Sequence, residues 1–204
     1  MIIDTIIFDF GDIFINLDKP KVEEELRKIG LTEWTNTLNE LNHQYEIGKI
    51  SENKFLKGFQ KQIPAVEIDV IKKAWNSVLA DFPIYRLEFL EELTSKYRLF
   101  LLSNTDFTHI EEVKRKVGSE FHNRFLNCFE KVYYSFEMGM RKPDESIYQF
   151  VIENHQLNPK KTLFVDDKKE NTDAAKKTGL LVWNLQVGKE DVIELQSFLN
   201  NNLW

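Results

Sequence analysis

The sequence predicts an α/β fold: a parallel sheet covered by helices, with an all-helical stretch inserted after the first strand. Three observations carry this. Short apolar runs break off into polar residues at three places. Ile6-Ile7-Phe8 meets Asp9, Leu99-Phe100-Leu101-Leu102 meets Ser103-Asn104, and Thr162-Leu163-Phe164-Val165 meets Asp166-Asp167. Segments of helical periodicity alternate with such runs from residue 82 onward, which implies parallel strands joined by right-handed crossovers. Between the first two runs, residues 18–80 carry helix signals and no convincing strand.

The elements follow in order. A first strand is expected over 2–8, followed by a short irregular piece to Leu17. Asp18 can cap a helix with Pro20 in its first turn and Glu23, Glu24 and Glu25 toward the positive end of its dipole. Leu38, Leu41 and Tyr45 recur at spacings of three and four, so a second helix should end near Gly48. Ser51 can cap a third, with Phe55, Leu56 and Phe59 on one face. Pro64 separates it from a fourth, holding Val70, Ile71, Ala74, Trp75 and Val78. After Phe82-Pro83, a helix with Leu87, Leu90 and Leu93 precedes a strand at 99–102. A helix over 107–117 and a strand over 131–135 come next. Asp144 can open a helix with Ile147, Phe150 and Val151 before the strand at 162–165. A helix through Ala174-Ala175 stops at Gly179, and residues 180–183 form a last strand.

Length and composition bound the function. The 204 residues suffice for one core domain plus a modest insertion. Apolar residues make up 42% of the chain, including 16 Phe, which provides for a sizeable core. A net charge of −6 argues against general affinity for nucleic acid or an anionic membrane. A single Cys128, set among Phe125, Leu126 and Phe129, cannot form an internal disulfide and reads as a small buried hydrophobe. The first apolar stretch is too short to span a bilayer and lacks a basic flank, so a soluble, cytoplasmic protein is expected.

The strand ends carry the chemistry. In a parallel sheet the carboxyl ends of neighbouring strands open onto one crevice. Asp9 with Asp167 or Asp166 would there offer hard oxygen ligands suited to Mg²⁺, which takes one or two protein carboxylates and leaves places for water or phosphate. Carboxylates crowded together without a cation would raise one another's pKa. Each site alone also reads as a turn or helix cap; the matching placement of both favours chemistry. Ser103 and Asn104 can donate hydrogen bonds to phosphate oxygens, and Thr105 leads toward a helix N-terminus, a ready anion site; taken alone, Ser103-Asn104-Thr105-Asp106 reads as an ordinary helix-capping turn. In Arg141-Lys142-Pro143, proline forces Lys142 into extended backbone, so its ammonium can project from a loop and balance charge on a phosphoryl group.

The ordered set Asp9-Phe10-Gly11, Ser103-Asn104, Lys142-Pro143 and Asp166-Asp167 resembles the four motifs of the haloacid dehalogenase-like (HAD) hydrolases. The stretches 136–144 and 164–171 are similar to family segments at length. The resemblance spans the chain and implies a Rossmann-like core, 1–15 and 81–204, with a small helical cap at 16–80. It is nearest the small-cap branch that includes α-D-glucose-1-phosphate phosphatase and the phosphatase domain of soluble epoxide hydrolase.

The resemblance further implies a Mg²⁺-dependent phosphatase acting on a small phosphomonoester, such as a sugar phosphate. Asp9 would be the nucleophile and form an aspartyl-phosphate. Asp9, the Gly11 carbonyl and Asp167 would hold Mg²⁺, with Asp166 in support or itself on the ion. Ser103 and Asn104 would hold the phosphoryl oxygens, Lys142 would balance charge, and Asn171 would orient Asp167 or a water. One position departs from the pattern. The family's phosphatases usually carry a general-acid Asp two residues after the nucleophile, where this chain has Gly11; Asp12 is one residue further. Two alternatives therefore stand beside the phosphatase: a metal-independent 2-haloacid dehalogenase, and a non-catalytic binder of a phosphorylated ligand. The expected partner is a small phosphorylated metabolite, with no nucleic acid and no membrane. In the cap, Trp34, His43, Tyr45 and Glu46 are candidates to touch the leaving group.

Overall fold

Strands that are apolar at every position must be covered on both faces, and here they are. The computed structural model describes residues 3–201. Five strands, β1 (Thr5–Phe8), β2 (Arg98–Ser103), β3 (Lys131–Tyr134), β4 (Thr162–Asp166) and β5 (Leu181–Asn184), form an all-parallel sheet of order β3-β2-β1-β4-β5. Ile6, Phe8, Leu99, Leu101, Leu163 and Val165 face one apolar layer, while Ile7, Phe100, Leu102 and Phe164 face the other. This alternation is the period-two geometry of a strand.

The first layer is built by α5 (Ile84–Leu93), α6 (Phe107–Val117), α7 (Ser119–Asn127) and α11 (Leu195–Asn201). Phe125 is its hub, with ring contacts to Phe10, Phe14, Phe82 and Phe129. The short α8 (Ser135–Met138) follows β3, and the second layer is built by α9 (Glu145–Asn154) and α10 (Lys169–Lys177), where Tyr148 packs on Phe164 and donates to the Asn171 carbonyl. Cys128 is buried beside the first layer, where burial pushes its thiol up to about 11, so it is a packing residue.

Between β1 and β2 lie α1 (Lys19–Lys28), α2 (Asn36–Glu46), α3 (Glu52–Gln60) and α4 (Ile68–Asn76). They enclose an apolar cluster of their own, with Leu38, Phe55, Phe59 and Ile71 at its centre. Side-chain caps at Asp18, Thr35 and Ser51 open the first three. The chain leaves the core and returns to it along one short antiparallel pairing. Asp18 N–H donates to Val78 O, Asn16 N–H to Asp81 O, and Ala80 N–H to Asn16 O, around a bridge between Leu17 and Leu79.

Several expectations are corrected. The first strand begins at Thr5, and Ile2 lies outside the described residues. In α1 the first turn holds no acidic residue; Glu23, Glu24 and Glu25 sit past it, beyond the reach of the dipole. Val70 is exposed on α4. The helices α7 and α11 were not expected. A break at Gly118, with φ of 83°, separates α7 from α6 and hides the periodicity that Phe121 and Phe125 share.

Next to α2, Gly48 takes φ of 68°, and a Cβ there would lie 2.0 Å from the Phe136 carbonyl oxygen. Since both the left-handed backbone and the approach to main chain oppose a side chain, Gly48→Ala should cost at least about 1–2 kcal/mol. Urea unfolding of the two proteins checks this.

Candidate active site

Asp9 follows directly on β1, the central strand. Because β1 pairs with β2 on one side and β4 on the other, the Asp9 carboxylate lies between the ends of its two neighbours. Its N–H donates to Val165 O at 2.9 Å, holding it level with Asp166. Ser103, the last residue of β2, lies on the opposite side and is buried at the wall of the crevice.

A lysine enters from outside the sheet. Lys142 is 1% exposed, and its Nζ stands 2.7 Å from Asp9 Oδ1 and 2.7 Å from Asp166 Oδ2. Its main chain is clamped by Asn104, which accepts from Lys142 N–H at 2.9 Å and donates to Lys142 O at 2.7 Å. The Lys142–Pro143 peptide is cis. Asn104 was expected to donate to phosphate; in the structure its side-chain oxygen and one amide N–H are spent on holding the lysine.

Asp166 and Asp167 differ sharply. Asp166 is fully buried, and its oxygens accept from Lys142 Nζ, the Lys168 N–H and the Asn171 amide. Asn171 thus orients Asp166 and not Asp167 as expected, because its helical position brings the amide beneath the buried carboxylate. Asp167 lines a small space of about 70 Å³ together with Asp9, Gly11, Lys19, Asn104, Lys142, Lys168 and Asn171. Its one ion-pair partner among the described residues is Lys19, at 3.6 Å.

Charge balance is the central fact of this cluster. Oxygens of Asp9, Asp166 and Asp167 all lie within 4.8 Å of one another. Burial pulls the Lys142 amine down, but Asp166 and Asp9 outweigh it, so the ammonium is held above its usual range. Two ammoniums, Lys142 and Lys19, cannot balance the four carboxylates Asp9, Asp12, Asp166 and Asp167. Burial, with Asp166 adding to it, pushes Asp9 from 3.8 up to about 7 against the opposing pull of Lys142. Burial and Asp166 raise Asp167 as well. A donor set of hard oxygens lacking positive charge, with the buried Asn171 Oδ1 unpartnered beside it, fits a divalent cation such as Mg²⁺.

The turn after Asp9 is tight. Phe14 and Ile15 N–H both donate to Phe10 O, Asp12 N–H donates to Ile15 O, and Asp12 takes φ of 58°. Asp12 therefore turns away from Asp9, accepting from Leu17 N–H at 3.0 Å and from Lys19 Nζ at 2.7 Å. It is not free to replace a proton donor at Gly11. Of the two readings of Ser103-Asn104-Thr105-Asp106, the helix-capping turn holds and an anion site at the N-terminus of α6 does not. Asp106 caps that helix by accepting from His109 N–H, while Ser135 Oγ accepts from Thr105 N–H.

A second space of about 270 Å³ lies above Ser103 between the core and the inserted helices. Phe10, Ile15, Leu79 and Val113 supply an apolar wall, and Asn42, Glu46, His109 and Lys168 supply polar groups. Of the four expected candidates, Glu46 alone lines it. Trp34 is exposed and stacks on the far side of Trp75. His43 meets Arg141 Nη1, and Tyr45 bonds Thr108 at both hydroxyl and N–H. Sequence reasoning missed Lys19, Asn42, Trp75 and His109. Nothing in their spacing separates them from ordinary helical residues.

Comparison with known proteins accords with this geometry. A model of the haloacid dehalogenase-like hydrolases matches residues 3–179. A D-ribitol-5-phosphate phosphatase from Bacteroides thetaiotaomicron is 28% identical over 98% of this chain and 100% of its own length. Among solved structures, a HAD family enzyme from Bacteroides thetaiotaomicron in complex with magnesium and inorganic phosphate superposes with TM-score 0.83 at 33% identity, covering 92% of this chain and 96% of that one. A HAD-like hydrolase from Porphyromonas gingivalis superposes with TM-score 0.86 at 26% identity, with both chains covered in full.

The raised Asp9 pKa has a signed consequence. Between pH 3.8 and about 7 the folded, metal-free protein keeps a proton on Asp9 that the unfolded chain releases. Stability at this residue is therefore lost as pH rises through that window. Melts in EDTA from pH 5 to 8 should show Asp9→Asn gaining stability over the native protein as pH increases.

Proposed function

Because the chain belongs to the haloacid dehalogenase-like hydrolases, we propose that it is a Mg²⁺-dependent phosphatase hydrolysing a small phosphomonoester through Asp9. The observation that carries this is the set of four carboxylates, Asp9, Asp12, Asp166 and Asp167, around two ammoniums, Lys142 and Lys19, which calls for a further cation. The HAD family enzyme with magnesium and inorganic phosphate supports the same reading. A metal-independent dehalogenase would leave the excess carboxylate charge unanswered.

Each residue then has a role that its surroundings allow. Asp9 Oδ1 is held by Lys142, so Oδ2 is the oxygen that attacks phosphorus, forming an aspartyl-phosphate as the alkoxide departs. Water then cleaves the acyl-phosphate and restores the carboxylate. Lys142 balances the negative charge shared between nucleophile and phosphoryl oxygens, and Ser103 donates to one of those oxygens. Asp9, the Gly11 carbonyl and Asp167 would hold Mg²⁺, which when bound screens the phosphate and lets the carboxylate approach it. Asp166, saturated by Lys142, Lys168 and Asn171, positions the lysine instead.

The leaving group enters the larger space under the four inserted helices, which act as a cap excluding bulk water. Asn42 and Glu46 there offer donors and acceptors to hydroxyl groups, while the ring nitrogens of His109 are taken by Asp106 and the Trp75 carbonyl, so a sugar or polyol phosphate fits best. The likeness to a D-ribitol-5-phosphate phosphatase points the same way. Gly11 supplies no proton to the departing oxygen, a role worth typically about 10²–10⁴-fold in rate.

A panel of phosphomonoesters tests the proposal. Turnover should require Mg²⁺, stop in EDTA, and vanish in Asp9→Asn; activity indifferent to EDTA would sink the metal reading. A Cβ at Gly11 meets only the end of Leu17, at 2.8 Å from Cδ1, which can move aside. Gly11→Asp should thus fold and accelerate poor leaving groups by roughly ten-fold or more. Ligand-induced stabilisation without turnover, reversed in Gly11→Asp, would favour the non-catalytic binder. In the cavity, Glu46→Gln should raise KM for a polyol phosphate several-fold while barely changing that for phenyl phosphate, as steady-state kinetics would report.

A further inference from the structure

Lys19 is the first residue of α1, the helix on which the chain enters the insertion. Its ammonium nevertheless reaches back into the core. It stands 2.7 Å from Asp12 Oδ2 and 3.6 Å from Asp167 Oδ2, and it lines the same small space as Asp9 and Lys142. The tie to Asp12 is the closer one, and Asp12 is itself held by Leu17 N–H. The lysine is thus anchored at the rim, with Asp167 as its second and looser partner. Asp167, in turn, has no other ion-pair partner among the described residues.

We infer that Lys19 is a cation belonging to the inserted helices that occupies Asp167 when no metal is bound and clamps the substrate phosphate once the metal takes its place. The inference rests on the metal-dependent phosphatase reading. It follows from two charge constraints. A divalent ion and an ammonium cannot share one carboxylate oxygen without repelling each other, so metal binding displaces Lys19 from Asp167 while Asp12 keeps it nearby. The space it then borders is lined by Asp9 and Lys142 as well, so Lys19 faces the phosphate that Asp9 would attack. A side chain on α1 thereby couples phosphate binding to the position of the cap, which joins the core through the short pairing at 16–18 and 78–81.

The prediction is a pair of changes with opposite sign, which loss of structure cannot produce. In Lys19→Met, MgCl₂ titrated calorimetrically into metal-free full-length protein should bind about five-fold more tightly, a partly exposed ion pair being worth up to about 1 kcal/mol. Inorganic phosphate titrated in saturating Mg²⁺ should bind about five-fold more weakly. Lys19→Arg keeps the charge and should stay within about two-fold of the native protein in both titrations. Any other combination in Lys19→Met overturns the inference: both ligands weaker means a structural latch, and both unchanged means a surface lysine. If the native protein itself fails to bind Mg²⁺, the phosphatase reading falls first, a result separable from the behaviour of the variant.

Discussion

The buried ammonium of Lys142 is the interaction on which this site depends. Two carboxylates approach it at 2.7 Å each, from the ends of adjacent strands, in a place almost closed to water. Removing one partner of such a buried arrangement leaves an uncompensated charge, which typically costs about 3–5 kcal/mol. The surrounding structure is arranged to hold the ammonium in place. Asn104 clamps its main chain, Asn171 and the Lys168 N–H saturate Asp166, and Phe164 lies under the Nζ at 5.3 Å. Even with Lys19 on Asp12 and Asp167, two ammoniums are too few for the four carboxylates present. That deficit is what makes the site receptive to a further cation.

The topology produces this concentration of charge at small cost elsewhere. A central strand flanked by β2 on one side and β4 on the other places its own end residue between theirs. The chain's direction of winding changes between β1 and β4, so the helices that follow them diverge and leave a crevice. The inserted helices close over it by contacts that are themselves polar. Tyr45 and Glu52 meet Thr108, Trp75 meets Asp106, and Glu46 meets Arg141.

Much of this was legible in the residues. The three apolar runs that end in Asp9, Ser103 and Asp166 are strands in the structure, adjacent and parallel. The helix expected over 107–117 has those bounds, and Asp144 opens the next as its spacing suggested. Contacts distant in sequence were not legible. Asn104 was expected to donate to phosphate, yet it clamps the main chain of Lys142, 38 residues on. Nor was the choice between neighbouring partners: the resemblance gave Asn171 to Asp167 or a water, but the helix turns its amide under Asp166.

By itself, the sequence determined that Asp9, Ser103 and Asp166 fall at the ends of neighbouring strands. Apolar periodicity and local turn chemistry act over a few residues, and both are written in the order of side chains. Tertiary structure alone decided how those residues share their charge. Asp166 and Asp167 are neighbours of identical type, and only the path of β4 into α10 buries one and leaves the other at the ligand space. Lys19 and Glu46 join the site because the insertion folds back over it, across separations that no local pattern records. Coulombic and desolvation energies depend on distance through space, so the electrostatic character of the site exists only once the chain has closed around it.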